Sequence, residues 1–280
     1  MVKAMLRKIF TNTLKSCLRN TLLLTAVLGS IIMMWNVIYH FIEITGIEGM
    51  DKLAEARNLV GYNAAEFPYK AIMFFFCGLV ISWDCVADFT TNNAELMASS
   101  GLRTGRWFLG KLLAYGVLCF AVSLTASTVT AVFRTMWNTE FTFGELFDLE
   151  TIFRMLLLCL VLGFAGFLTY SGLAIFFSQL FRKPAAGLVA CTAYHLLVNL
   201  FIKFDIYPEF FLDFRWIYLP QETRFYFYGF PGDSIAAVLS FKPIYTIPGA
   251  WSGYFNICFV GIALLFGGYL LARKRFRKFN

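Results

Sequence analysis

Four patterns in the 280-residue chain hold residue types that could do chemistry. The first is Gly105-Arg-Trp-Phe-Leu-Gly110-Lys111-Leu112. It approaches the phosphate cradle GxxxxGK[ST], but Leu112 stands where a Ser or Thr would ligand magnesium. It also opens an apolar helix instead of linking a strand to a helix, and no supporting acidic strand is found, so the chain itself is not expected to bind ATP. The second is Asp84 and Asp88, four apart at the end of an apolar run. They pair with Arg103, Arg106 or the N-terminal helix, or are ordinary interface charges. The third is His195 and Asn199, also four apart and hence on one helical face. The fourth is the cysteines, Cys17, Cys77, Cys85, Cys119, Cys159, Cys191 and Cys258. All but Cys17 lie in or at the ends of apolar segments. They read as small packing residues, not as a disulfide framework or a metal site. No catalytic set emerges: His40 and His195 are on different apolar segments, and neither HExxH nor GxSxG occurs.

The elements that carry these residues are set by composition. Residues are 59% hydrophobic and only 15% charged. That is too little charge to cover a soluble domain of this length. A helix needs about 20 apolar residues to cross the hydrocarbon layer, and such stretches recur along the whole chain. In lipid a helix satisfies its own backbone, so the expected class is an all-α integral membrane domain. Six transmembrane helices are read: Thr21–Ile42, Phe67–Ala87, Trp107–Phe133, Thr151–Ser178, Ala185–Ile202 and Ala250–Ala272. Residues 1–19 precede them as an amphipathic interfacial helix. Val2, Met5, Leu6, Ile9, Phe10, Leu14, Cys17 and Leu18 take one face; Lys3, Arg7, Lys8, Thr11, Asn12, Lys15 and Arg19 take the other. A cleaved signal peptide is disfavoured by the length of the apolar run that follows.

Charge orients the spans. With both termini inside, the inner segments hold 15 of the 24 Lys and Arg residues but only 3 of the 17 acids. Lys and Arg resist translocation, so this side is cytoplasmic. The tail Arg273-Lys274-Arg275-Phe276-Arg277-Lys278 anchors against anionic head groups. The net charge of +7 flanks spans instead of forming a basic domain, which argues against a nucleic-acid partner. Two connections have content. In the loop 88–111, Asn92 to Ala98 can form a short helix, Ser99-Ser100-Gly101 breaks it, and a new helix starts near Thr104; a plain solvated loop is the alternative. The outer segment 203–249 is rich in Phe, Tyr and Trp but broken by Pro208, Pro220, Pro231, Pro243 and Pro248. It reads as short interfacial or re-entrant helices. It acts either as an anchor belt or as an outer gate, with Phe211, Trp216 and Tyr218 as gate residues.

The phrase Glu95-Leu96-Met97-Ala98-Ser99-Ser100-Gly101-Leu102-Arg103, followed by Gly110-Lys111-Leu112-Leu113, resembles the corresponding loop of ABC-2 type transporter permeases. The amphipathic start, six spans and inside termini also match, so the resemblance covers residues 1–280 as one transmembrane domain. It implies a permease subunit of an ATP-driven exporter in the bacterial plasma membrane. Two copies form the pathway, and ATP and magnesium are held by a separate ATPase subunit, with no cofactor in this chain. It implies that the loop helix docks on that subunit through Glu95, Leu96, Met97 and Arg103. His195 and Asn199 then line the translocation path or the dimer seam, or make an interhelical hydrogen bond. The aromatic outer segment suits an amphipathic or hydrophobic cargo, first a peptide toxin or antimicrobial peptide. Drugs, lipid-linked glycans and sodium are alternatives, and a membrane enzyme or channel is the competing class.

Overall fold

The apolar stretches fold as helices, and no strand occurs among the described residues. The structure, a computed structural model, describes residues 6–19, 76–91, 93–99, 101–138, 142–204 and 250–277. Helix α1 covers residues 6–19. A π-helical turn, Phe76–Ile81, runs into α2, Ser82–Thr90. Then follow α3 (Asn93–Ser99), α4 (Thr104–Asn138), α5 (Phe143–Leu146), α6 (Leu149–Phe181), α7 (Pro184–Phe204) and α8 (Ala250–Phe276). The windows Thr104–Val122 and Gly163–Phe181 are long and apolar enough to cross a membrane, and Pro184–Leu197 is a shorter apolar helix. Span one, the first half of span two and the outer segment with Phe211, Trp216 and Tyr218 lie outside the described residues.

Local signals explain the boundaries. Asp148 caps α6 by accepting from the Thr151 amide at 2.8 Å. Glu145 reaches back to the Thr142 amide at 2.7 Å and so caps the short α5. Helix α6 stops at Arg182, which takes a left-handed φ of 59°. Pro184 then opens α7 at its first position, where a missing N–H costs nothing. Helix α4 has 35 residues, which is roughly 50 Å at 1.5 Å per residue. That exceeds a hydrocarbon layer of about 30 Å, so part of it lies beyond the apolar slab.

The amphipathic reading of α1 holds for most of its residues. Leu6, Ile9, Phe10, Leu14 and Cys17 turn inward, and Arg7, Lys8, Asn12, Lys15 and Arg19 are exposed. Leu18 departs from it and is exposed, while Thr13 is buried in the face that the sequence treats as apolar. The inward face lies on the start of α4, where a Cβ on Gly110 would meet Ile9 Cγ2 at 3.0 Å.

The most extensive helix pairing is α6 with α8. Glycines let the two backbones approach. A Cβ on Gly261 would lie 2.7 Å from the Leu168 carbonyl carbon and 2.8 Å from its oxygen. A Cβ on Gly172 would lie 2.8 Å from the Gly261 oxygen. Around this pair the core gathers Phe76, Ile81, Tyr115, Leu118, Leu168, Tyr170, Ile175 and Leu265. Gly261→Ala should therefore force the helices apart and lower stability by about 1–3 kcal/mol. Thermal unfolding of the detergent-solubilised protein checks it, with Gly105→Ala, whose Cβ would meet nothing nearer than 3.8 Å, as the harmless comparison.

Candidate functional site

Trp107, Lys111 and Tyr115 are spaced by four along α4, so they share a face. Asp84 and Asp88 share a face of α2 for the same reason. The two faces meet. Lys111 Nζ lies 2.6 Å from Asp84 Oδ2 and 2.7 Å from Asp88 Oδ2. It also donates to the Asp84 carbonyl oxygen at 3.0 Å, so its three N–H groups have three acceptors in reach. Tyr115 donates its hydroxyl to Asp84 Oδ2 at 2.5 Å, and Trp107 donates Nε1 to Asp88 Oδ2 at 2.8 Å. Lys111 is only 5% exposed, and Trp107 and Tyr115 are fully buried. A charge so far from water is tolerated because it is paired and hydrogen-bonded on every side.

The sequence expectation for these acids needs correcting. Their cation is Lys111, where the sequence suggested Arg103, Arg106 or the N-terminal helix. The sequence shows the four-residue spacing of Asp84 and Asp88 but places Lys111 only in the near-Walker phrase. That phrase is α-helical from Thr104 onward, and its lysine is held by carboxylates. It forms no phosphate cradle.

Helix α3 sits beside this cluster. The expected short helix is present, as Asn93–Ser99. It ends in a turn with Gly101 at φ +76° and the Leu102 amide donating to the Met97 carbonyl at 3.1 Å. That six-to-one bond across a left-handed glycine closes a helix tightly. Instead of standing free, the helix is folded back: Ala94, Leu102, Trp107, Ala272 and Phe276 form one buried cluster, with Met97, Phe89 and Ile9 against it. Phe89, Trp107 and Phe276 meet pairwise, with ring centroids 5.2–5.5 Å apart. Leu96 points the other way and is 68% exposed; Glu95 and Arg103 are exposed as well. Met97, expected at the docking surface, is half-buried and packs inward.

A second polar link ties the same end of the bundle. Gln179, buried in α6, donates to the Cys85 carbonyl at 2.8 Å and accepts from Arg275 Nη1 at 2.8 Å. The Arg275 guanidinium lies 4.8 Å from the Phe89 ring. Burial lowers its pKa, and the nearby Arg182 charge adds to the effect. On α1, burial raises the Cys17 thiol well above its usual range, and the Asp84 carboxylate raises it further. Helices α1, α2, α3, α4, α6 and α8 thus converge on one polar end.

The family comparison bears on what this end does. The family model for the ABC-2 family transporter protein matches residues 46–217, more than half of the chain. The chain belongs to the ABC-2 transporter family. No curated protein and no solved structure matches it. An ABC-2 permease is the membrane-embedded transport subunit of its system, is not itself catalytic, and normally works with an ABC ATPase subunit.

Farther along the spans, His195 Nδ1 lies 3.0 Å from the Tyr170 hydroxyl, joining α7 to α6. Tyr194 packs edge-on to Tyr170 at 5.3 Å. This is the interhelical hydrogen bond weighed in the sequence. The Asn199 side chain lies outside the described residues. Six of the described cysteines, Cys17, Cys77, Cys85, Cys119, Cys191 and Cys258, are buried thiols, in keeping with packing. Among the described residues no group of His, Cys, Asp or Glu could hold a metal ion.

The buried cluster makes a direct prediction. Lys111→Ala leaves the buried Asp88 and the partly buried Asp84 without this cation and should cost about 3–5 kcal/mol. Lys111→Arg, which keeps the charge, should lose less. The temperature at which the purified protein loses its monodisperse gel-filtration peak measures both. Cys17 in the native protein should resist maleimide at neutral pH and react once the chain is denatured, because the thiol is both covered and held protonated.

Proposed function

We propose that this chain is the permease subunit of an ATP-driven ABC exporter, docked through α3 on a separate ATPase subunit that holds ATP and magnesium. The observation that carries the docking is the two-sided character of α3. One side is pinned by Ala94, Leu102 and Trp107; the other offers Leu96 at 68% exposure beside Glu95, with Arg103 at the following turn. A large apolar side chain held in the open on a rigid helix is what a groove on a partner can use. The orientation that suits this has both termini and α3 in the cytoplasm, with six spans in the plasma membrane and a second copy completing the pathway. Charge bias along the chain supports that orientation.

The cargo we favour is an amphipathic peptide, a toxin or an antimicrobial peptide, on the ground of the aromatic outer segment. Phe211, Trp216 and Tyr218 are the proposed outer gate, and His195 with Asn199 the proposed polar stretch of the path or of the dimer seam. Drugs, lipid-linked glycans and sodium are the competing cargoes for the same architecture.

Leu96→Asp should leave the gel-filtration profile unchanged and reduce the ATPase recovered with the tagged permease at least tenfold. Equal recovery from native membranes would overturn docking through α3. For the cargo, the ATPase rate of the purified complex should rise with cationic amphipathic peptides and stay flat with sugars and sodium. His195→Ala should lower transport with little effect on ATPase recovery; unchanged transport would remove it from the path.

A further inference from the structure

The polar cluster does more than fill space between α2 and α4. We propose that Trp107, Lys111 and Tyr115 are positioning residues of a relay that carries the state of α3 into the packed interior of the bundle. This rests on the docking role proposed for α3. The contacts run without a gap. Ala94 and Leu102 pack with Trp107. The Trp107 indole donates to Asp88, and Asp88 pairs with Lys111 at 2.7 Å. Lys111 pairs with Asp84 at 2.6 Å, and Asp84 accepts from Tyr115. Tyr115 is fully buried in the main core, with its hydroxyl 3.3 Å from Cys85 Sγ.

Two features make this a relay and not a staple. Helix α3 lies in the connection between α2 and α4, so any displacement of it reaches both helices. The two helices are joined to each other by charge-assisted bonds at both carboxylates. Apolar contacts let neighbouring helices slip by fractions of an ångström. Short bonds to shared carboxylate oxygens have one good geometry, so a shift at Trp107 must be followed by Lys111 and Tyr115 or break one of these bonds. The same carboxylate oxygens serve both neighbours: Asp88 Oδ2 faces Trp107 and Lys111, and Asp84 Oδ2 faces Lys111 and Tyr115.

The test uses the full chain in lipid nanodiscs and needs no partner. Tyr115→Phe removes one hydroxyl and touches nothing in α3. If the relay holds, hydrogen exchange at the amides of α3 speeds up about tenfold, the loss expected when one charge-assisted hydrogen bond is coupled to local opening. Trp107→Phe does the same, and the double variant is no faster than the faster single variant, because both cut one chain. Thr169→Val removes a buried hydroxyl that donates to the Ala165 carbonyl of its own helix, and leaves α3 unchanged. Exchange in α3 within twofold of the parent in Tyr115→Phe, with loosening confined to the turn around residue 115, would overturn the relay. With the ATPase subunit that co-purifies, Tyr115→Phe keeps the recovery of the complex but lowers the stimulation of ATPase by an amphipathic cationic peptide several-fold. Lost recovery would instead assign Tyr115 to shaping the docking surface and would overturn the relay. Failure of docking itself is read separately, from Leu96→Asp.

Discussion

One ammonium group shared by two carboxylates organises the polar end of this bundle. Lys111 reaches Asp84 and Asp88 from the neighbouring helix, and the indole of Trp107 and the hydroxyl of Tyr115 complete the coordination of the two carboxylates. Such a cluster is not a large net source of stability, since taking three charges out of water is costly. What it supplies is definition. Register between α2 and α4 is fixed, because sliding either helix by one turn would separate the lysine from one of its carboxylates. Everything nearby inherits that register: the aromatic contacts of Phe89, Trp107 and Phe276, the seat of α3, and the place where the last helix ends.

The cluster also bears on the phrase that resembles a nucleotide cradle. A phosphate-binding lysine must be free to leave the backbone that presents it. Here the lysine is in the second turn of a helix, about 10 Å along the axis from Thr104, and its donors are already occupied. Permeases of the ABC-2 family normally work with an ABC ATPase subunit.

Much of the fold was legible because lipid and backbone impose strong rules. Apolar runs read as helices, and Ser99-Ser100-Gly101 breaks one; Gly101 holds the left-handed position that the break requires. The site was less legible. The spacing of Asp84 with Asp88 was noticed, but the matching spacing of Trp107, Lys111 and Tyr115 carries no label in one dimension. Only the antiparallel approach of two helices shows that the two sets face each other. Long cationic side chains at span ends are usually solvated, so Arg103 and Arg106 were the natural partners. Depth selected Lys111 instead. The inward packing of α3 was hidden for a related reason, since Ala94 looks unremarkable until Trp107 and Phe276 close on it. The Gln179 bridge joins residues nearly a hundred positions apart and leaves no local trace.

The glycine contacts between α6 and α8 have a kinematic consequence. At Gly261 and Gly172 one backbone rests on the other with no side chain between, while at Gly268 the Ile175 side chain fills the space, with Cγ2 2.8 Å from where a Cβ would lie. Two rods seated this closely can neither roll nor slide past each other without a collision of main chains. The pair therefore forms a single stiff beam. Whatever opens and closes during a transport cycle must hinge around that beam, not within it.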